Sequence, residues 1–262
     1  MIRVIRAELR KLKRRSLSLA TLATVTALTA FFTWIVYFRI NEPANTKRGE
    51  SITAAELSHS LGLVYGFKLV SFFLGITALC IFASQTAQEY TYGTLRNLLV
   101  RQPSRMKILF GKLASMKLFA LVMVTLSAIV SIVVSYLMSG PAKVSTSEWF
   151  TASAFELLGR TFINVMITTV GFGIFGMILG LLFRSPITSI SIGMLWILIL
   201  ENVLAGTLPA SSKWLPGQNL GNIGEGGTLL VSYGHSLAMS AIYLSGGFAV
   251  VAYLFKRRDV AN

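Results

Sequence analysis

Apolar residues fall along this chain in six long blocks, separated by polar stretches that are mostly basic. A helix needs about 20 apolar residues to cross the hydrocarbon of a bilayer. Residues 17–38, 69–87, 118–138, 161–183, 187–208 and 237–255 meet that requirement. No block carries a charge at its centre. Glu201 falls in the outer part of the fifth, and Lys68 stands just before the second, where its ammonium can snorkel to head groups. The pattern predicts an all-α integral membrane protein, with six transmembrane helices in a single domain over residues 1–262.

Composition points the same way. Hydrophobic residues make up 54% of the 262 and charged residues 13%, against roughly 25% charged in soluble domains. The formal net charge of +14 would suit a polyanion only if it covered a soluble face. Instead the bases gather at the edges of the apolar blocks, which marks membrane topology and not nucleic-acid binding. With the amino terminus inside, the inner segments hold seven bases before the first block and six between the second and third. Arg184, Lys256, Arg257 and Arg258 join them, whereas the outer segments hold seven bases offset by seven acids. Both termini are therefore expected in the cytoplasm. The first block is too long for a cleaved signal peptide and is expected to remain as an anchor. The single cysteine, Cys80, lies within an apolar block and reads as a small hydrophobe.

Two polar stretches have a helical period of their own. In residues 1–16, "MIRVIRAELRKLKRRS", Ile2, Ile5, Leu9 and Leu12 share a stripe, and Arg3, Arg6, Arg10 and Lys13 take the other faces. This fits an interfacial helix with its basic side on anionic membrane lipids, at about 1 kcal/mol per charge. A plain positive-inside anchor fits as well. In residues 84–112, "SQTAQEYTYGTLRNLLVRQPSRMKILFGK", Leu95, Leu98 and Leu99 form a short apolar face beside Arg96, Asn97 and Arg101. Pro103 stops any helix there, and the pattern resumes at Met106. A short amphipathic helix between two spans is shaped for a partner's groove; a solvated interfacial loop carries the same period.

Within this second stretch Glu89, Gly93–Thr94–Leu95, Leu98–Leu99, Pro103–Ser104–Arg105 and Gly111–Lys112 follow in fixed order. That order and spacing resemble the membrane subunits of type 2 ATP-binding cassette exporters, and the likeness extends to the whole layout. The chain is especially similar to compact bacterial permeases grouped with bacitracin- and lantibiotic-resistance exporters. The resemblance implies a cytoplasmic coupling helix after span two. There Glu89, Gly93, Thr94, Leu95, Arg96, Leu98, Leu99 and Arg101 would meet a separate ATPase subunit. It also implies short outer helices before span six, a second permease copy or a related permease as partner, and a place in the bacterial plasma membrane. The cargo would be amphiphilic: a peptide antibiotic, a drug or a lipid.

The chain is not expected to be an enzyme. Its one Gly-Lys pair, Gly111–Lys112, has Met106 where a phosphate-binding loop needs its first glycine, so ATP and Mg²⁺ are assigned to the partner ATPase and no cofactor to this chain. His59 and His235 stand far apart, with no nucleophile motif or metal spacing near them. A carboxylate costs about 2.5–3.5 kcal/mol at a span centre and less near the interface. Glu201 and Asn202 are therefore either translocation-path residues, with Arg160 or Lys68 as counter-charge, or groups already among head groups. An ion-coupled secondary transporter and a non-transporting sensor or scaffold are the alternative functions. Gly62/Gly66 and Gly176/Gly180 have the spacing that lets helices pack closely. The outer segment 39–67 is expected to hold a small helix.

Overall fold

A computed structural model describes residues 2–40, 52–95, 100 and 104–257. Among them there are helices and no strand. The elements are α1 (Ile2–Leu12), α2 (Arg15–Phe38), α3 (Ala54–Ser58), α4 (Leu61–Thr91), α5 (Arg105–Ser139) and α6 (Ala152–Phe183), followed by α7 (Pro186–Thr207), α8 (Pro216–Glu225) and α9 (Tyr233–Arg257). A short 3₁₀ turn, Pro209–Lys213, joins α7 to α8. Six helices, α2, α4, α5, α6, α7 and α9, are long and apolar enough to span a membrane. The molecule is a multi-pass helical bundle embedded in the membrane.

The apolar blocks locate all six spans but understate three. α4, α5 and α6 have 31, 35 and 32 residues, or about 46–53 Å at 1.5 Å per residue, against about 30 Å of hydrocarbon. Hydropathy marks the immersed part of a helix, whereas caps and breakers set its ends. α6, for instance, begins where the Thr151 hydroxyl accepts from the Ala154 amide, and it stops at Arg184 in a left-handed conformation. The small helix expected before span two is α3, opened by a reciprocal Thr53–Glu56 capping box.

α4 and α6 form the buried pair. Of the most apolar 18 residues in each, 61% are buried, compared with 22% in α2 and α7 and 17% in α9. The pair owes its closeness to missing side chains. A Cβ on Gly176 would lie 2.3 Å from the Leu79 carbonyl oxygen, and one on Gly180 would lie 2.8 Å from that of Ala83. Gly75 receives Phe172 in the same way, and Gly173 receives Phe82. The contacts 75/172, 79/176 and 83/180 advance by four on both helices, so the two helices run parallel.

A hydroxyl seam joins α2 to α5. Thr29 meets Ser127 at 2.9 Å, and one turn on Thr33 donates to Ser131 at 3.3 Å. Gly66 brings α4 against that seam, since a Cβ there would touch Thr33 and Ser131. Beyond it the buried Trp149 donates to the Leu57 carbonyl at 2.8 Å, and Tyr37 donates to that of Gly62 at 3.1 Å. These contacts close the far end of the bundle. At the opposite, basic end lie α1, the carboxyl ends of α4, α6 and α9, and the start of α5. There Thr91 donates to the Arg184 carbonyl at 3.4 Å, and Arg105 donates to that of Phe255 at 2.8 Å.

Candidate functional site

The basic end is organised around four charges on three helices. Lys112, about two turns into α5 and on its buried face, spends all three ammonium protons: on Glu8 of α1 at 2.8 Å, on Glu89 of α4 at 2.8 Å, and on the Gln85 carbonyl at 3.2 Å. Lys11 bridges the same two acids from the outer side, 2.5 Å from Glu8 and 2.7 Å from Glu89. Each carboxylate therefore faces two ammonium groups, and the square is neutral. Lys112 is 3% exposed and the two acids barely more. Leaving any one of these charges out of water without its partners would cost several kcal/mol.

Local sequence explains how α1 reaches this seat. Gly111 leaves a notch in α5, where a Cβ would lie 2.6 Å from Val4 Cγ1. Val4, Glu8 and Leu12, at spacing i, i+4, i+8, are the buried stripe of α1, while Ile5 and Leu9 are only half buried. The helix is thus turned from the face that its apolar residues alone define, because Glu8 must meet Lys112. Burial pushes the Glu8 carboxyl up, but Lys112 and then Lys11 outweigh it and hold the group below the ordinary carboxylate value. Burial pushes Lys11 down, and Glu89 with Glu8 reverse this to a net rise.

Just past the square the chain reverses. α4 ends as the Tyr92 amide donates to the Gln88 carbonyl and that of Gly93 to Tyr90. Gly93 has φ +64° with nothing within 4 Å of a hypothetical Cβ, so it is glycine for its conformation and not for space. Arg184 stacks its guanidinium 5.3 Å from the Tyr90 ring centre, which ties the turn to the end of α6. An open cavity of about 770 Å³ lies alongside, lined by Tyr92 and Thr94 together with Arg10, Lys11 and Arg14.

The expected coupling residues divide here. Glu89 is buried in the ion square. Leu95 is 3% exposed and borders a small void with Ile108, Leu109, Leu181 and Phe255. Both are committed to the chain's own interior. Gly93 and Thr94 are exposed. Arg96, Leu98, Leu99 and Arg101 lie outside the described residues. Along the sequence Glu8 and Lys11 count only as topology charges, and Lys112 enters through the Gly111–Lys112 pair without a partner. The signal was there: a single acid in a helix of otherwise basic polar residues.

Glu201 and Asn202 occupy the other end. Glu201 is fully buried and meets neither Arg160 nor Lys68. Its oxygens accept from the Gly217 amide at 3.0 Å and the Gln218 amide at 2.8 Å, two orphan donors at the start of α8. Pro216 needs no acceptor there, and Gly217 clears the approach, since a Cβ would lie 2.7 Å from the carboxylate. The Asn202 amide donates to the Ile197 and Leu198 carbonyls at 3.1 and 3.0 Å. These carbonyls lie in the π-helical stretch Leu195–Leu200 of α7, whose widened turn leaves such groups short of partners. The Asn202 Oδ1 accepts from the Gln218 side-chain amide at 3.3 Å, so Glu201 and Asn202 together clip α8 onto α7. On its other side α8 is held by Thr168, in mid-α6, which donates to the Leu220 carbonyl at 2.9 Å.

No curated protein matches the chain. Residues 44–261 match the family profile described as protein of unknown function (DUF2705), and they take in α3 to α9, the Glu89–Lys112 half of the ion square and the Glu201 clip. The chain therefore belongs to the DUF2705 family.

Proposed function

We propose that the chain is the membrane-spanning permease subunit of an ATP-binding cassette exporter in a bacterial plasma membrane. Its basic end and both termini face the cytoplasm. A separate ATPase binds and hydrolyses ATP with Mg²⁺, two six-span subunits pair, and an amphiphilic substrate leaves the cell. α1 is the interfacial helix, residues 93–101 couple to the ATPase, and the 3₁₀ turn with α8 forms the short outer helices.

The observation that carries this reading is the ion square, whose Glu89 and Lys112 flank residues 93–101 in sequence. A transmission element needs a base that does not yield when a partner pushes on it. Glu89 and Lys112 stand on the two helices that flank the segment, and Glu8 adds a third. Leu95 pins the start of the segment into the core. From that base α4 and α6, locked backbone to backbone, run toward the far end. An ion-coupled transporter would want a titratable acid free within a span, whereas both Glu201 oxygens already hold backbone amides.

The experiment is co-expression with a P-loop ATPase from the same genomic neighbourhood, reading co-purification and substrate-stimulated ATP hydrolysis. Leu98→Asp or Leu99→Asp should abolish both while the protein still inserts, because a charge would enter an apolar contact. Wild-type behaviour of both variants would remove the coupling assignment.

A further inference from the structure

Lys68 is the charge in α4 that the ion square does not use. It lies seven residues, about 10 Å, inside the helix and is half buried. It takes part in none of the ion pairs among the described residues. An ionisable group within a membrane helix calls for a partner. Lys68 lines a cavity of about 540 Å³ between α4, α6, the end of α8 and the start of α9.

The other walls of that cavity supply complementary chemistry. Glu225, also without an ion-pair partner among the described residues, stands at the carboxyl end of α8, where the helix dipole adds negative potential. Tyr233 donates to Asn164 Oδ1 at 2.7 Å, which fixes the Asn164 amide so that its NH₂ is left to donate. Arg160 is engaged by Glu156 at 2.5 Å, and both are exposed, so that pair is neutral. Val64 and Leu157 make part of the wall apolar. One cation with an amide donor and one anion with a helix carboxyl end thus face a shared, partly apolar space at the far end of the spans.

We propose that this cavity binds the head group of a zwitterionic phospholipid bearing a primary amine, a phosphatidylethanolamine. The phosphate is held by Lys68 and Asn164, the ammonium by Glu225 and the end of α8, and the first carbons of the lipid lie on Val64 and Leu157. A quaternary amine cannot donate to Glu225, and a glycerol head group brings no positive charge, so choline and glycerol lipids fit less well. The site does not depend on coupling to an ATPase.

The test is native mass spectrometry of the detergent-solubilised protein with added phosphatidylethanolamine, phosphatidylcholine or phosphatidylglycerol. The ethanolamine lipid should be retained preferentially. Lys68→Gln should weaken its retention about tenfold, the scale of one charge-assisted hydrogen bond. Glu225→Gln, at an exposed position, should erase the preference among the three lipids while leaving phosphate-dependent binding. Equal retention of all three by the unmodified protein, or unchanged ethanolamine-lipid retention in both variants, overturns the proposal. Displacement of the lipid by millimolar phosphoethanolamine would assign the site to a soluble zwitterion and overturn the lipid assignment.

Discussion

The Lys112 ammonium and the Glu89 carboxylate meet at 2.8 Å between α5 and α4, both buried. They flank in sequence the segment assigned to coupling, so the ion pair closes that segment at its base. Glu8 and Lys11 extend the contact to α1, and together they make the basic end of the bundle one rigid junction.

Lys112→Met tests that junction most directly. It leaves two buried carboxylates with Lys11 as the one remaining counter-charge among the described residues, and breaking such a pair costs about 3–5 kcal/mol. The thermal midpoint in detergent should fall sharply. The double variant Lys112→Met/Glu89→Gln should recover part of the loss, because one stranded charge is removed with its partner. Additive losses would show that the two side chains do not act as a pair.

The pH response follows from the direction of the two shifts. The folded-state value of Glu8 lies below its unfolded value. Its contribution is therefore complete above the ordinary carboxylate range and is lost as pH falls through the lowered value. The folded-state value of Lys11 lies above its unfolded value. Its contribution, reduced by the partial exposure of the side chain, is complete below the ordinary lysine range and is lost as pH rises through the raised value. Thermal midpoints should be flat from roughly pH 6 to 9 and decline on both sides. Glu8→Gln should flatten the acid limb, and an acid limb unchanged in that variant would place the responsible group elsewhere.

Glu201→Leu should release α8. The buried Gly217 amide and the part-buried Gln218 amide would lose their acceptor, at about 1–3 kcal/mol for a group left buried and unsatisfied. Hydrogen exchange over Gly217–Glu225 should accelerate by about tenfold or more. Glu201→Gln keeps one carbonyl acceptor and should fall between the two. If Glu201→Gln lowers export at normal protein levels while α8 stays protected, the carboxylate has a role in transport beyond holding the helix.

Orientation can be read by labelling single cysteines in a Cys80→Ser background. Ser212→Cys should react with a membrane-impermeant maleimide in intact cells, whereas Ser16→Cys and Ser104→Cys should react only after permeabilisation. Labelling of Ser104→Cys in intact cells would invert the assignment.

The six spans and the clustering of bases at one end were legible along the chain, because transfer into hydrocarbon is a local property that each block of about 20 residues carries by itself. The glycine pairs were legible too, as spacing, though not their partners. The fate of the charges was not. Lys112 and Glu8 are separated by 104 positions, and nothing in either neighbourhood names the other. The apolar stripe of α1 predicted one buried face, and the salt bridge selected another. Glu201 read either as a path residue with a cation beside it or as a group among head groups; its partners proved to be the amides of Gly217 and Gln218, made available only because α8 folds back onto α7. Sequence by itself determined which parts of this protein enter the membrane. Tertiary structure decided what each buried charge is for, since the desolvation of a charge is offset only by groups that distant helices bring within about 3 Å.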